Sequence, residues 1–146
     1  MDDRVSVASY AFHGLLRHGV MDVFGYLESV RFRYGAQADI WNGMLPTTER
    51  DYVLKIRRAL DERGLVLANL CVDDAHIWED DADRREANHR NALAHLEAAE
   101  LLGARTVRID AGGAHDARAF SSEQMDLIVS RYREYAARAQ AGGYRV

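Results

Sequence analysis

The sequence predicts an α/β fold built from parallel strand–helix units. Three observations carry that reading. Short apolar, β-branched segments alternate with helical stretches four times along the chain. Their starts recur at intervals of roughly 30 to 40 residues, the size of one strand–helix unit. No two of them are joined by a two-residue hairpin signal, so right-handed parallel crossovers are the connections that remain.

The first strand is expected over Arg4–Tyr10, where small and β-branched residues suit a pleated setting, and Phe12-His13-Gly14 follow as a loop. Val23, Tyr26, Leu27 and Val30 then stand at helical spacing within a helix over Asp22–Arg33. A short second strand at Ala38–Trp41 leads to a loop with the only proline, Pro46. Thr48 reads as the N-cap of the next helix, with Asp51 three residues on in a weak capping-box pattern and Gly64 as its stop. Leu65–Leu70 is almost continuously apolar, as in a strand covered on both faces. A helix from Ala82 to Leu102 ends at Gly103, and Thr106–Asp110 forms strand four. The last helix opens at Ser121 or Ser122 and puts Met125, Ile128, Val129, Tyr132, Ala136 and Ala139 on one face. Gly142–Val146 reads as the approach to a fifth strand.

Composition narrows the function classes. The chain has 146 residues, 48% of them hydrophobic, which fits one folded domain over 1–146. A net charge of -4 argues against a nucleic-acid partner. Cys71 is the single cysteine, so there is no internal disulfide. No apolar run reaches the roughly 18 residues of a membrane span, and Met1–Arg4 does not open a signal peptide. The expectation is a cytoplasmic protein with no membrane partner.

Loop chemistry separates the two α/β architectures. A doubly wound sheet announces a phosphate site after strand one, yet Phe12-His13-Gly14 is neither G-x-G-x-x-G nor a P-loop. Polar and aromatic groups instead recur after each strand, where (β/α)₈ barrels build their sites.

Several motifs in order carry a resemblance. Glu100–Ile109, with Leu102-Gly103-Ala104 leading into an apolar strand, resembles a helix-to-strand passage of the sugar phosphate isomerase/epimerase family. These are xylose isomerase-like TIM barrels of the AP endonuclease 2 superfamily, which also includes endonuclease IV relatives. Leu60–Leu67 resembles the preceding unit, and Val5–Phe12 resembles strand one. The resemblance covers the chain as the N-terminal half of a barrel, which implies a partial TIM barrel with four strands, four helices and a fifth strand cut short. It implies metal-assisted proton transfer on a sugar or polyol in the full-length parent, with this chain an inactive N-terminal fragment. The family's divalent metal is held mainly from strands after the fourth, so the full-length relative is expected to hold one and this chain none. The alternatives are an endonuclease IV-like repair enzyme fragment and a non-catalytic half-barrel that self-associates, for instance as a homodimer closed through its open edges.

The candidate substrate-facing residues are His13, Trp41, Asn42, His76, Arg108 and Asp110. His13 follows strand one, as a backbone-capping loop histidine or a contact to a sugar hydroxyl or phosphate. Trp41 and Asn42 follow strand two, where an aromatic wall beside an amide suits a polyol, although a tryptophan there also closes cores. His76 follows strand three, and the resemblance implies contact with substrate or metal in this region. Asp110 ends strand four and Arg108 shares its face by strand alternation, as a site pair or as a structural ion pair. Glu79-Asp80-Asp81 reads as a solvated run. His18, His89, His95 and His115 read as surface residues, and Cys71 as a packed thiol.

Overall fold

A computed structural model describes residues 5–112 and 120–146. Four parallel strands, β1 (Ser6–Ala8), β2 (Gln37–Trp41), β3 (Leu67–Val72) and β4 (Thr106–Ile109), lie side by side in the order of the sequence. Five helices accompany them: α1 (His13–Arg17), α2 (Val23–Ser29), α3 (Arg50–Glu62), α4 (Ala82–Leu102) and α5 (Ser122–Gly142). Sequential order decides between the architectures. Right-handed crossovers taken always in the same direction leave every helix on one face, whereas a doubly wound sheet reverses direction and covers both. Accordingly α2 packs on α3, α3 on α4 and α4 on α5. The arrangement is a partial barrel.

The core lies between this helix layer and one face of the sheet. Ala38, Ile40, Leu70, Val72, Val107 and Ile109 alternate along the strands and are buried, together with Tyr26, Leu27, Ile56, Leu60, Leu96, Leu102 and Tyr135 from the helices. The hydroxyl of Tyr26 ties the layers together: it lies 2.6 Å from the Val7 carbonyl and accepts from the Asp39 amide at 2.8 Å.

Local chemistry explains the helix ends. Asp22 caps α2 by accepting from Gly25 N, and Asp81 caps α4 by accepting from Asp83 N and Arg84 N. Ser121 and Gln124 form a full capping box on α5. Gly103, at φ +67°, ends α4 as expected. Arg145 makes a parallel bridge to Thr106, so the expected approach to a fifth strand is present on the β4 edge.

Some expectations are corrected. The segment 9–17 is no loop: a 3₁₀ turn (Ser9–Phe12) runs into α1, and β1 is correspondingly shorter. The helix expected over Asp22–Arg33 is α2 followed by a π-helical turn, Val30–Tyr34. The N-cap of α3 is Glu49, not Thr48, and no side chain caps it. The strand expected over Leu65–Leu70 is shifted to Leu67–Val72 and is covered on one face only. On α5 the inward residues are Ile128, Tyr135 and Ala139, with Tyr132 half-buried, while Met125, Val129 and Ala136 are exposed. That stripe is rotated away from β4, toward which Tyr132 donates a hydrogen bond at the Ile109 carbonyl.

Candidate functional site

The face of the sheet opposite the helices is polar, and strand register arranges it in rows. Ala8, Asp39, Asn69 and Thr106 stand in one row, and Trp41, Cys71 and Arg108 in the next, nearer the C-terminal ends of the strands. Thr106 Oγ1 donates to Asn69 Oδ1 at 3.0 Å, and Asn69 Nδ2 donates to Asp39 Oδ1 at 3.2 Å, a chain across three strands. Burial pushes the Asp39 carboxyl above its usual range, against the lowering influence of Asn69 and Arg108.

Arg108 organises the upper row. Its guanidinium donates to Asp73 Oδ1 at 2.9 Å, to Asp110, and to Cys71 Sγ at 2.8 Å and 2.5 Å. Cys71 is therefore no plain packed thiol: it accepts from a guanidinium on the sheet's polar face. Burial raises its pKa, partly offset by Arg108. The Arg108–Asp110 relation expected from strand alternation is present as an ion pair.

Asp73 links this network to an aromatic wall. Its Oδ2 accepts from Trp41 Nε1 at 2.7 Å. The indole lies against Gly43, where a Cβ would sit 2.2 Å from the ring, so only glycine leaves room for it. Tyr10 meets Trp41 edge-on at 5.1 Å and stacks on His13 at 4.7 Å. Tyr10, His13, Leu16, Arg17, Trp41 and Asp73 enclose a cavity of about 390 Å³ at the C-terminal ends of β1 to β3.

The turn after β3 is held firmly. Asn42 accepts from Asp73 N at 3.0 Å and donates to Asp73 O at 3.1 Å, and Asn91 donates to the carbonyls of Asp73 and Asp74. These bonds hold Asp74 at φ +53°. Farther on, Trp78 bridges Gly112, where a Cβ would meet the Trp78 carbonyl at 2.2 Å.

The six candidates therefore divide. His13 and Trp41 line the cavity, Arg108 joins it through Asp73, and Asp110 joins it through Arg108. Asn42 has its amide engaged by backbone, fixing Asp73. His76 lies outside the cavity wall, its Nδ1 3.2 Å from Glu79 Oε1 and its carbonyl bonded by Asn88. Asp80 and Asp81 of the acidic run are exposed, and Asp81 also caps α4. His18 is exposed, but His95 is buried and His89 is packed against Tyr135; His115 lies outside the described residues. Asp39, Asn69 and Tyr10 were not marked by the sequence. Alternation within strand two could have flagged Asp39, two residues before Trp41 and on its face.

A divalent metal does not fit the donors that the described residues of this cluster present. Arg108 already stands between Asp73 and Asp110, a cation where a metal would need free carboxylates. Among the described residues, no group of three or more His, Cys, Asp or Glu side chains converges as a metal site.

Comparison of this fold with known proteins defines its class. No family model and no curated protein matches the sequence. Solved structures do match. The 3-keto-D-glucoside 4-epimerase YcjR of E. coli superposes with a TM-score of 0.66 at 16% identity, over 84% of this chain and 49% of its own. A xylose isomerase domain protein of Planctomyces limnophilus gives 0.61 at 13% identity, over 81% and 46%. A xylose isomerase-like TIM barrel protein of Mycobacterium smegmatis, solved in complex with magnesium, gives 0.59 at 17% identity, over 85% and 46%. The fold is that of about half of a xylose isomerase-like TIM barrel, and the chain spans about half the length of these structures. No described helix is long and apolar enough to cross a membrane.

Proposed function

We propose that this chain supplies a sugar- or polyol-binding half of an isomerase- or epimerase-type barrel. One observation carries the reading: an indole face, fixed through Asp73, stands beside a carboxylate–guanidinium network at the C-terminal ends of parallel strands. An aromatic plane packs against the C–H face of a sugar while neighbouring carboxylates accept from its hydroxyls. Barrel enzymes place their chemistry at this end of the strands. His13, Trp41, Asp73, Arg108 and Asp110 would contact or orient the ligand, and the parent reaction would be proton transfer between adjacent carbons. A metal would polarise the carbonyl in such chemistry, but its ligands are not supplied by this cluster.

The test is titration of the ¹⁵N-labelled chain with D-xylose, D-glucose and D-sorbitol, following the Trp41 indole resonance. The chain has two tryptophans, so Trp41→Phe assigns it. At least one compound should shift it, and Trp41→Ala should abolish the accompanying shifts of the backbone amides. No shift at up to about 100 mM, where even a millimolar ligand saturates, would overturn the reading.

A second reading, self-association, is favoured by the outer edge of β1, which has no strand partner among the described residues, beside exposed Val5. Light scattering tests it: a monomer at all concentrations excludes closure by a second copy.

A further inference from the structure

Two sets of observations at the cavity bear on the charge of its ligand. The first is the balance of side chains. Asp39, Asp73 and Asp110 stand on the polar face against Arg108, which is bonded to two of these carboxylates and to Cys71. The cavity wall adds one positive charge, Arg17. A phosphoryl dianion needs several converging cationic or N–H donors, and a guanidinium already bridging two carboxylates has little to offer it.

The second is the state of the helix N-termini. In strand–helix units the helices begin at the C-terminal ends of the strands, so their first-turn N–H groups are the ordinary phosphate cradle. Here the chain's own side chains occupy those positions at α2, α4 and α5, whereas no side chain caps α3. Asp22 accepts from Gly25 N in α2, and Asp81 accepts from two amides of α4. Ser121 and Gln124 satisfy each other's amides at α5, with Glu123 in the first turn. The N-terminus of α3 carries Glu49 and Asp51. Of the five helices, α2, α3 and α4 hold a carboxylate at the cap position and α5 holds one in its first turn, while the short α1, preceded by Phe12, holds neither. Each of these carboxylates repels an incoming anion.

We infer that this site takes an uncharged sugar or polyol and rejects its phosphate ester. The inference rests on the sugar-binding reading and sharpens it, because the fold alone accommodates either ligand. Discrimination arises from like-charge repulsion, so it must weaken as salt screens partly exposed charges; Arg108 and Asp73 are 44% and 45% exposed. Rejection by cavity shape would not respond to salt.

The experiment pairs each neutral compound with its terminal phosphate: D-xylose, D-glucose and D-sorbitol against D-xylose 5-phosphate, D-glucose 6-phosphate and D-sorbitol 6-phosphate. The Trp41 indole resonance reports binding at low and high sodium chloride. The expected result is at least about tenfold weaker binding of the phosphates at low salt, a gap that narrows at roughly 0.5 M salt, where the screening length is only a few ångströms. Asp110→Asn, which removes one negative charge, should narrow it as well. Phosphates binding as tightly as the neutral compounds, or more tightly, overturn the inference and leave the sugar site standing. A gap insensitive to both salt and Asp110→Asn overturns it too. Failure of all six compounds to shift the resonance removes the sugar site, and the inference with it.

Discussion

The indole of Trp41 donates to the carboxylate of Asp73 at 2.7 Å, and the same carboxylate accepts from Arg108 at 2.9 Å. One side chain therefore couples the ends of β2, β3 and β4. The two partners ask different things of it: the indole needs only an acceptor, the guanidinium prefers a charge. Asp73→Asn keeps an acceptor oxygen and should leave the Trp41 indole resonance near its native position, whereas Asp73→Ala should move it. The stability loss is expected to be about 1 kcal/mol for either, as partly exposed pairs contribute little. Identical resonances in the two variants would show that Asp73 does not position the indole. Gly43→Ala supplies the complementary change, displacing the ring from the other side.

Tyr26 is fully buried, and its hydroxyl lies 2.6 Å from Val7 O and 2.8 Å from Asp39 N. Tyr26→Phe leaves both backbone groups without this partner. The expected loss is about 1 to 3 kcal/mol, read as a lower urea midpoint with an unchanged m-value. A loss below about 0.5 kcal/mol would mean that water or a shifted β1 replaces the hydroxyl.

What was legible in the sequence followed from local chemistry. Ser121 opening a helix and Gly103 closing one need only neighbours in the chain to be read, and both ends lie where expected. The polar sheet face was harder. Asn69 sits in an apolar run that suggested a strand covered on both faces, and only the sheet's one-sided packing shows that Asn69 and Cys71 point away from the helices. Periodicity on α5 found an apolar stripe, but it could not tell which part of that stripe meets β4. Met125 and Val129 are consequently exposed while Tyr135, two turns on from Ile128 and not named in that stripe, is buried. Trp41, Arg108 and Asp110 were readable because strand ends are where barrels place polar groups. Asp39 and Tyr10 join the site only through pairing across strands and aromatic contact across loops.

Asp39 leads to a pH prediction. Burial raises its pKa in the folded chain above the unfolded value of 3.8, so the folded state holds its proton more tightly. Between the two values the unfolded chain binds fewer protons, and stability falls as pH rises through that window. Asp39→Asn keeps an oxygen for Asn69 and removes the buried charge. The variant should therefore be more stable than the native chain at pH 7, with the advantage disappearing below pH 3.8. Equal stability of the two proteins across this range would show that Asp39 is solvated well enough to ionise freely.

His89 gives the opposite slope. Its Nε2 lies 2.6 Å from Arg131 Nη1, and its Nδ1 lies 2.9 Å from the Tyr135 hydroxyl. A guanidinium only donates, so Nε2 must carry the lone pair and the ring must be neutral, with its proton on Nδ1. Burial lowers its pKa, and Arg131 lowers it further, while Glu134 and Glu86 oppose. His95 is lowered by burial as well, against its bond to the Asn91 carbonyl. In both cases the folded pKa lies below the unfolded value of 6.5, so the stabilisation is complete above that pH. It is lost as pH falls from 6.5 toward the folded values, where the unfolded chain takes up protons that the folded chain refuses. Protonation of His89 also sets two cations against each other between α4 and α5. The urea midpoint should drop from pH 7.5 to pH 5.5, and His89→Gln should flatten part of that drop, since an amide oxygen accepts from Arg131 at either pH. A midpoint that falls equally in the native chain and in His89→Gln would remove His89 from the account and leave His95 to carry the slope alone.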